Sequence, residues 1–138
     1  ALWVPLLALS LVGTVVVAQA QARFSGDSVA ARRWVYEKTQ RGATDEAILY
    51  NVDSCEFING VFGERRYYRM RSGKEFEETL ARAAAQSNRI VVAETDHRYR
   101  RGPHYARPLI EAGRWGSFRV VASEDLGRIV LVLLERTA

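Results

Sequence analysis

Residues 72–94, SGKEFEETLARAAAQSNRIVVAE, decide the fold of this chain. Ser72-Gly73-Lys74-Glu75 fits a capping box, in which the serine and glutamate side chains satisfy each other's otherwise orphaned backbone N–H groups. Phe76, Leu80, Ala83 and Ala84 follow at i, i+4, i+7 and i+8, the spacing of one helical face, so the sequence predicts a helix from 73 to about 86. Arg89 to Glu94 (RIVVAE) follows, with Ile90 to Ala93 apolar without alternation. A strand of that kind needs cover on both faces, and such strands belong to α/β sheets flanked by helices.

The same pairing of helix and strand extends outward in both directions. Upstream, Ala47 to Val52 (AILYNV) is an apolar run of strand length, and Arg65 to Met70 (RRYYRM) reads as a short second strand. Asp27 or Ser28 is positioned to cap a helix through about Arg41, with Ala30, Ala31, Trp34 and Val35 as its apolar stripe and Gly42 as its stop. Ser54 to Gly63 is ambiguous between a short helix and a turn. Downstream, a polar loop from Thr95 to Gly102 leads to a short helix near 104–113, which Pro108 must begin or bend. Phe118 to Ser123 and Ile129 to Glu135 are strands joined by a turn-rich link, Glu124 to Arg128, and so form an antiparallel hairpin. The expected fold is α/β: a small three-layer, partly parallel sheet domain over 23–138, closed by that C-terminal hairpin.

In front of this domain, Ala1 to Ala22 (ALWVPLLALSLVGTVVVAQAQA) carries no charge, and every charge of the chain follows it. As a helix, 22 residues rise about 33 Å, enough for a hydrocarbon core of roughly 30 Å. Three readings stay open, the third being a helix buried in the protein's own core. The first is a transmembrane helix, the last span of a larger protein. The second is a secretory signal segment, with Leu6 to Ala18 as its apolar region and Ala18-Gln19-Ala20 or Ala20-Gln21-Ala22 as a small-x-small cleavage site. The chain opens on Ala, with no Lys or Arg before the apolar run, which favours a piece of something longer. The span and signal readings both place the domain on the extracytoplasmic (periplasmic or extracellular) side, membrane-anchored in the first. Arg23, Arg32 and Arg33 argue mildly for the cytoplasmic side, but long domains translocate largely regardless of charge.

The net charge is +4. Of the 20 basic residues all but Lys38 and Lys74 are arginine, whose planar fork suits phosphate and carboxylate; a GC-rich genome produces the same bias. A single cysteine, Cys55, excludes an internal disulfide and any CxxC knuckle, and two histidines cannot make a histidine-rich metal site alone. No metal site or cofactor is expected. GxGxxG, Walker and GxSxG motifs are absent.

Chemistry in an open α/β sheet belongs beyond the carboxyl ends of the parallel strands. Two segments qualify: Asn51, Asp53, Ser54, Cys55 and Glu56 after the first strand, and Thr95 to Arg107 after RIVVAE. The second holds four Arg, both His and two Tyr in thirteen positions. Arg100, Arg101 and Arg107, with His97 and His104 beside them, are the candidate contacts for a phosphate or a lipid headgroup. The plain alternative is a solvated basic loop or one docked on a partner domain. Cys55 as a nucleophile with His97 or His104 as base has no supporting motif, and lone cysteines are usually buried small hydrophobes. Asp53 with Glu56 as an acid/base pair has no fixed geometry. Arg65 to Arg71 interleaves arginine and tyrosine as nucleic-acid binders do, but a membrane location makes a strand edge the ordinary reading, and no nucleic-acid partner is expected.

The succession of an apolar segment, Asp27-Ser28-Val29-Ala30-Ala31-Arg32-Arg33-Trp34-Val35, the strand AILYNV, a strand with Tyr67-Tyr68, a capped helix, RIVVAE and a terminal hairpin resembles a known arrangement. It is similar to the C-terminal extracytoplasmic domain of polytopic membrane glycosyltransferases, those like the dolichyl-phosphomannose protein mannosyltransferases and the bacterial lipid A aminoarabinose transferases. The resemblance spans essentially the whole chain and rests on pattern and order. It implies a polyprenyl-phosphate sugar donor and an inverting, metal-assisted or carboxylate-based transfer. The catalytic acids of that family lie in loops between early membrane spans, a region this sequence does not contain, so none is carried over. The implied partners are membrane lipid, the upstream transmembrane region of the same protein and the polyprenyl-phosphate sugar. The implied role is a non-catalytic cap over a membrane-embedded active site.

Overall fold

The computed structural model describes residues 3–39, 45–51, 66–70, 75–95 and 105–138, without the side chains of 20–25. Three helices and six strands lie within these residues: α1 (Trp3–Thr39), β1 (Glu46–Asn51), β2 (Arg66–Met70), α2 (Glu75–Gln86), β3 (Arg89–Thr95), α3 (Ala106–Ala112), β4 (Arg114–Trp115), β5 (Phe118–Asp125) and β6 (Ile129–Arg136). The strands form one mixed sheet in the order β2-β1-β3-β6-β5-β4. β1 is parallel to both β2 and β3, whereas β6, β5 and β4 continue the sheet antiparallel. The α/β class and the terminal hairpin therefore stand as the sequence predicts.

Alternation along the central strands splits the core into two layers. Ala47 and Leu49 of β1, Ile90 and Val92 of β3, and Val130, Val132 and Leu134 of β6 pack with Phe76, Leu80 and Ala83 of α2 and Ala106 and Leu109 of α3. Ile48, Val91, Ala93, Ile129, Leu131 and Leu133 face the other way, onto Ala31 and Val35 of α1. Each central strand is thus apolar on both faces because helices cover both.

Helix α1 departs from expectation. Asp27 and Ser28 do not cap it; both lie inside one helix from Trp3 to Thr39. Ser28, Ala31, Val35 and Thr39 are buried at helical spacing, so docking on the sheet outweighs the local preference of Gly26-Asp27-Ser28 to start or stop a helix. The C-terminal end of α1 is held by Arg89, which donates to the Lys38 carbonyl at 2.9 Å while its guanidinium lies 3.3 Å from the buried Glu46 and 3.4 Å from Glu135. A cation at a helix C-terminus is favourable because the last carbonyls have no partner within the helix.

The other half of α1 makes no such contacts. Every described side chain from 3 to 19 is exposed, including Trp3 at 77%, Leu9 at 70% and Val16 at 57%. This uncharged stretch rises about 25 Å, and among the described residues no helix is long and apolar enough to cross a membrane.

At the far side of the sheet, α2 places Glu75, Glu77 and Glu78 in its first turn and gathers arginines at its last. Arg66 donates to the Gln86 carbonyl and Arg136 to that of Ala84, so both ends of the helix dipole meet opposite charge. α3 carries Pro108 in its first turn, where the missing N–H costs nothing, and ends at Gly113, whose φ of 69° closes the C-cap.

Candidate functional site at the carboxyl edge of the sheet

β1, β2 and β3 are parallel, so their carboxyl ends lie together at one edge, with Asn51, Met70 and Thr95 as the last residues. The side-chain amide of Asn51 spans to β3: Nδ2 donates to the Thr95 carbonyl at 2.6 Å, and Oδ1 accepts from the Thr95 N–H at 3.1 Å. This two-way bond locks the ends of the two strands together where the ladder runs out. Next to it, Glu94 is buried, and its Oε2 accepts from the N–H of Ala106 at 2.7 Å. A carboxylate at the first turn of α3 satisfies an orphan donor and sits at the positive end of the helix. Tyr105 stacks on Phe76 of α2 at 5.0 Å between ring centroids, closing the apolar layer beneath.

The turn between β5 and β6 reaches the same edge, because Ile129 pairs with Thr95. Its shape is fixed by Asp125, whose carboxylate accepts from the Gly127 N–H at 2.9 Å and from Arg107 Nε and Nη2 at 2.9 and 3.3 Å. Arg107 Nη2 also donates to the Gly127 carbonyl at 2.7 Å. Gly127 has φ 84°, a backbone conformation that costs a side chain.

Of the five candidate phosphate or headgroup contacts, only Arg107 falls within the described residues; His97, Arg100, Arg101 and His104 lie outside them, as do Asp53, Ser54, Cys55, Glu56 and Asp96. Arg107 ties helix α3 to the hairpin turn through Asp125 and the Gly127 carbonyl, so its fork is engaged within the protein. Among the described residues no cluster of three or more His, Cys, Asp and Glu side chains is placed to hold a metal ion. No sequence motif announces the roles of Glu94 and Asp125. A carboxylate directly after an apolar strand interior, as Glu94 follows Ile90 to Ala93, is the signal that points to the first.

No protein-family model and no curated protein matches the chain. Among solved structures, the 16S rRNA methylase ArmA aligns at 9% identity over 67% of this chain and 74% of its own, with a TM-score of 0.27. The 16S rRNA methylase RmtB aligns at 11% identity over 87% of this chain and 73% of its own, with a TM-score of 0.31. Superpositions that loose carry no argument about fold family or function.

Proposed function

We propose that this chain is the C-terminal part of a membrane glycosyltransferase that uses a polyprenyl-phosphate-linked sugar, and that its α/β domain is not itself catalytic. In this reading α1 is the last membrane segment and the domain stands on the extracytoplasmic side as a cap over the active site of the upstream spans. The observation that carries the reading is the division of α1. Its uncharged half exposes apolar side chains around its circumference, and its charged half docks on the sheet without a break between the two. A predominantly apolar helical surface exposed on all sides is stable in lipid and unfavourable in water. The sequence stays uncharged through Ala22, which brings the rise to about 33 Å, the thickness of a hydrocarbon core. Thr14 donates its hydroxyl to the Ser10 carbonyl at 2.9 Å, so this polar group inside the apolar stretch is satisfied within the helix.

The test is made on the parent protein. Its reading frame upstream of Ala1 should encode further hydrophobic spans. In membranes, deletion of the α/β domain should lower sugar transfer from a polyprenyl-phosphate donor, and this chain alone should transfer none. A start codon directly before Ala1 would refute the reading. A mature N-terminus just after Ala20 or Ala22 would replace it with a secreted α/β binding domain.

A further inference from the structure

The position of α1 on the sheet sets which edge of the domain lies nearest its apolar half. The start of β3 is level with position 38 of the helix, since Arg89 donates to the Lys38 carbonyl at 2.9 Å. From Arg89 to Thr95 the strand climbs six steps, about 20 Å. α1 runs the opposite way, because its C-terminal end leads into the start of β1. Twenty ångströms along it is about 13 residues, which places the carboxyl edge level with position 25 or so. The uncharged stretch ends at Ala22, only about 5 Å further on. That distance falls within the headgroup layer, roughly 5–8 Å on each side of the hydrocarbon core.

We propose that the carboxyl edge of the sheet is the membrane-facing surface of this domain, and that Arg69 and Arg128 bind the phosphates of lipid headgroups there. The proposal rests on α1 being a membrane segment. Arg69 is the next-to-last residue of β2, and Arg128 stands in the turn that delivers Ile129 to the side of Thr95; both are exposed. Tyr68 and Met70 face α2, so Arg69 projects from the sheet on the α1 side, beyond the strands that α1 covers. Guanidinium groups suit this contact because each offers paired donors to phosphate oxygens. Of the remaining described charges at this end, Arg107 is matched by Asp125, while Glu124 and Asp27 are acidic and offset the two arginines in net charge. The contact is therefore local to the two arginines. The opposite edge, marked by Ser117 and Thr137, lies about 20 Å farther from the lipid.

The full chain carrying Cys55→Ser is reconstituted in phosphatidylcholine vesicles doped with a headgroup-nitroxide lipid. A fluorophore is attached at Glu124→Cys or, separately, at Ser117→Cys. Quenching at position 124 is expected to exceed that at position 117 at least threefold. Introducing Arg69→Glu and Arg128→Glu together should cut the quenching at 124 by half or more, and Arg69→Lys with Arg128→Lys should keep most of it. Equal quenching at the two positions, or stronger quenching at 117, overturns the orientation. Undiminished quenching in the double glutamate variant overturns the arginine contact. Release of the chain by an alkaline carbonate wash removes the membrane reading of α1 and this proposal together. A retained chain with the wrong quenching pattern removes this proposal alone.

Discussion

Val35 and Val29 are the same residue on the same helix in opposite situations, and truncating each to alanine separates burial from everything else. Val35 is fully buried against Ile48, Val91 and Leu131, whereas Val29 is 54% exposed. Both sit in the helix interior, so both gain about 0.5 kcal/mol of helix propensity on becoming alanine. Val35→Ala removes two buried carbons, about 0.8 kcal/mol each. It also leaves a gap that rigid strand neighbours close only in part, bringing the gross loss to about 2–2.5 kcal/mol. The net cost is about 1.5–2 kcal/mol for Val35→Ala and within about 0.5 kcal/mol of zero for Val29→Ala. Urea unfolding of the full chain in a non-ionic detergent, followed by circular dichroism, measures both. If the two variants differ by less than about 0.5 kcal/mol, α1 does not dock as described, and the height assigned to the carboxyl edge falls with it.

Four further outcomes test the packing, one at the opposite end of the sheet and three at the candidate site. Arg136 lies 4.6 Å over the Phe118 ring and donates to Asn88 Oδ1 at 3.0 Å. Arg136→Ala should therefore lower stability by about 2 kcal/mol, and Arg136→Lys should recover less than half of that in the same urea assay. Asn51→Leu removes both bonds to the Thr95 backbone and should cost about 2 kcal/mol, with faster hydrogen exchange at the Thr95 amide as its local signature. At Gly127 an added Cβ meets open space, so Gly127→Ala should cost only the backbone penalty of its positive φ, about 1 kcal/mol by thermal unfolding. Arg107→Ala breaks a half-exposed ion pair and should cost less than about 1 kcal/mol, with the difference shrinking in high salt.

How far the sequence could be read depended on whether a local signal or a distant contact governed each element. α2, β3 and the β5–β6 hairpin are set by short-range patterns of helical spacing, continuous apolar runs and turn residues, and each appears within a residue or two of its expected limits. The continuity of α1 could not be read, because Gly26-Asp27-Ser28 carries the local chemistry of a helix boundary. What keeps it helical is burial of Ser28, Ala31 and Val35 against strands that come later in the chain. β4 has two residues, Arg114 and Trp115, and exists only through pairing with Arg119 and Phe118. Its tryptophan donates to Glu77 of α2 at 3.0 Å, a contact no periodicity announces. At the carboxyl edge, the topology of parallel strands was legible as a place for chemistry. The lock between Asn51 and Thr95 was not, since it depends on two strand ends lying side by side.

The unbroken path of α1 from its oily half to its sheet-bound half leaves this protein without a swivel. On the proposal that α1 is a membrane segment, it shares the lean by which such helices adjust to bilayer thickness, over a range of tens of degrees. With Ala31 and Val35 fastened to the strands, any such lean is passed on to the whole α/β body as a stiff lever. A change of about 10° would carry the rim that holds Ser117, some 20 Å away, sideways by roughly 3.5 Å. On that same proposal, a change of lipid composition shifts how the body overhangs its surroundings without altering a single contact inside it.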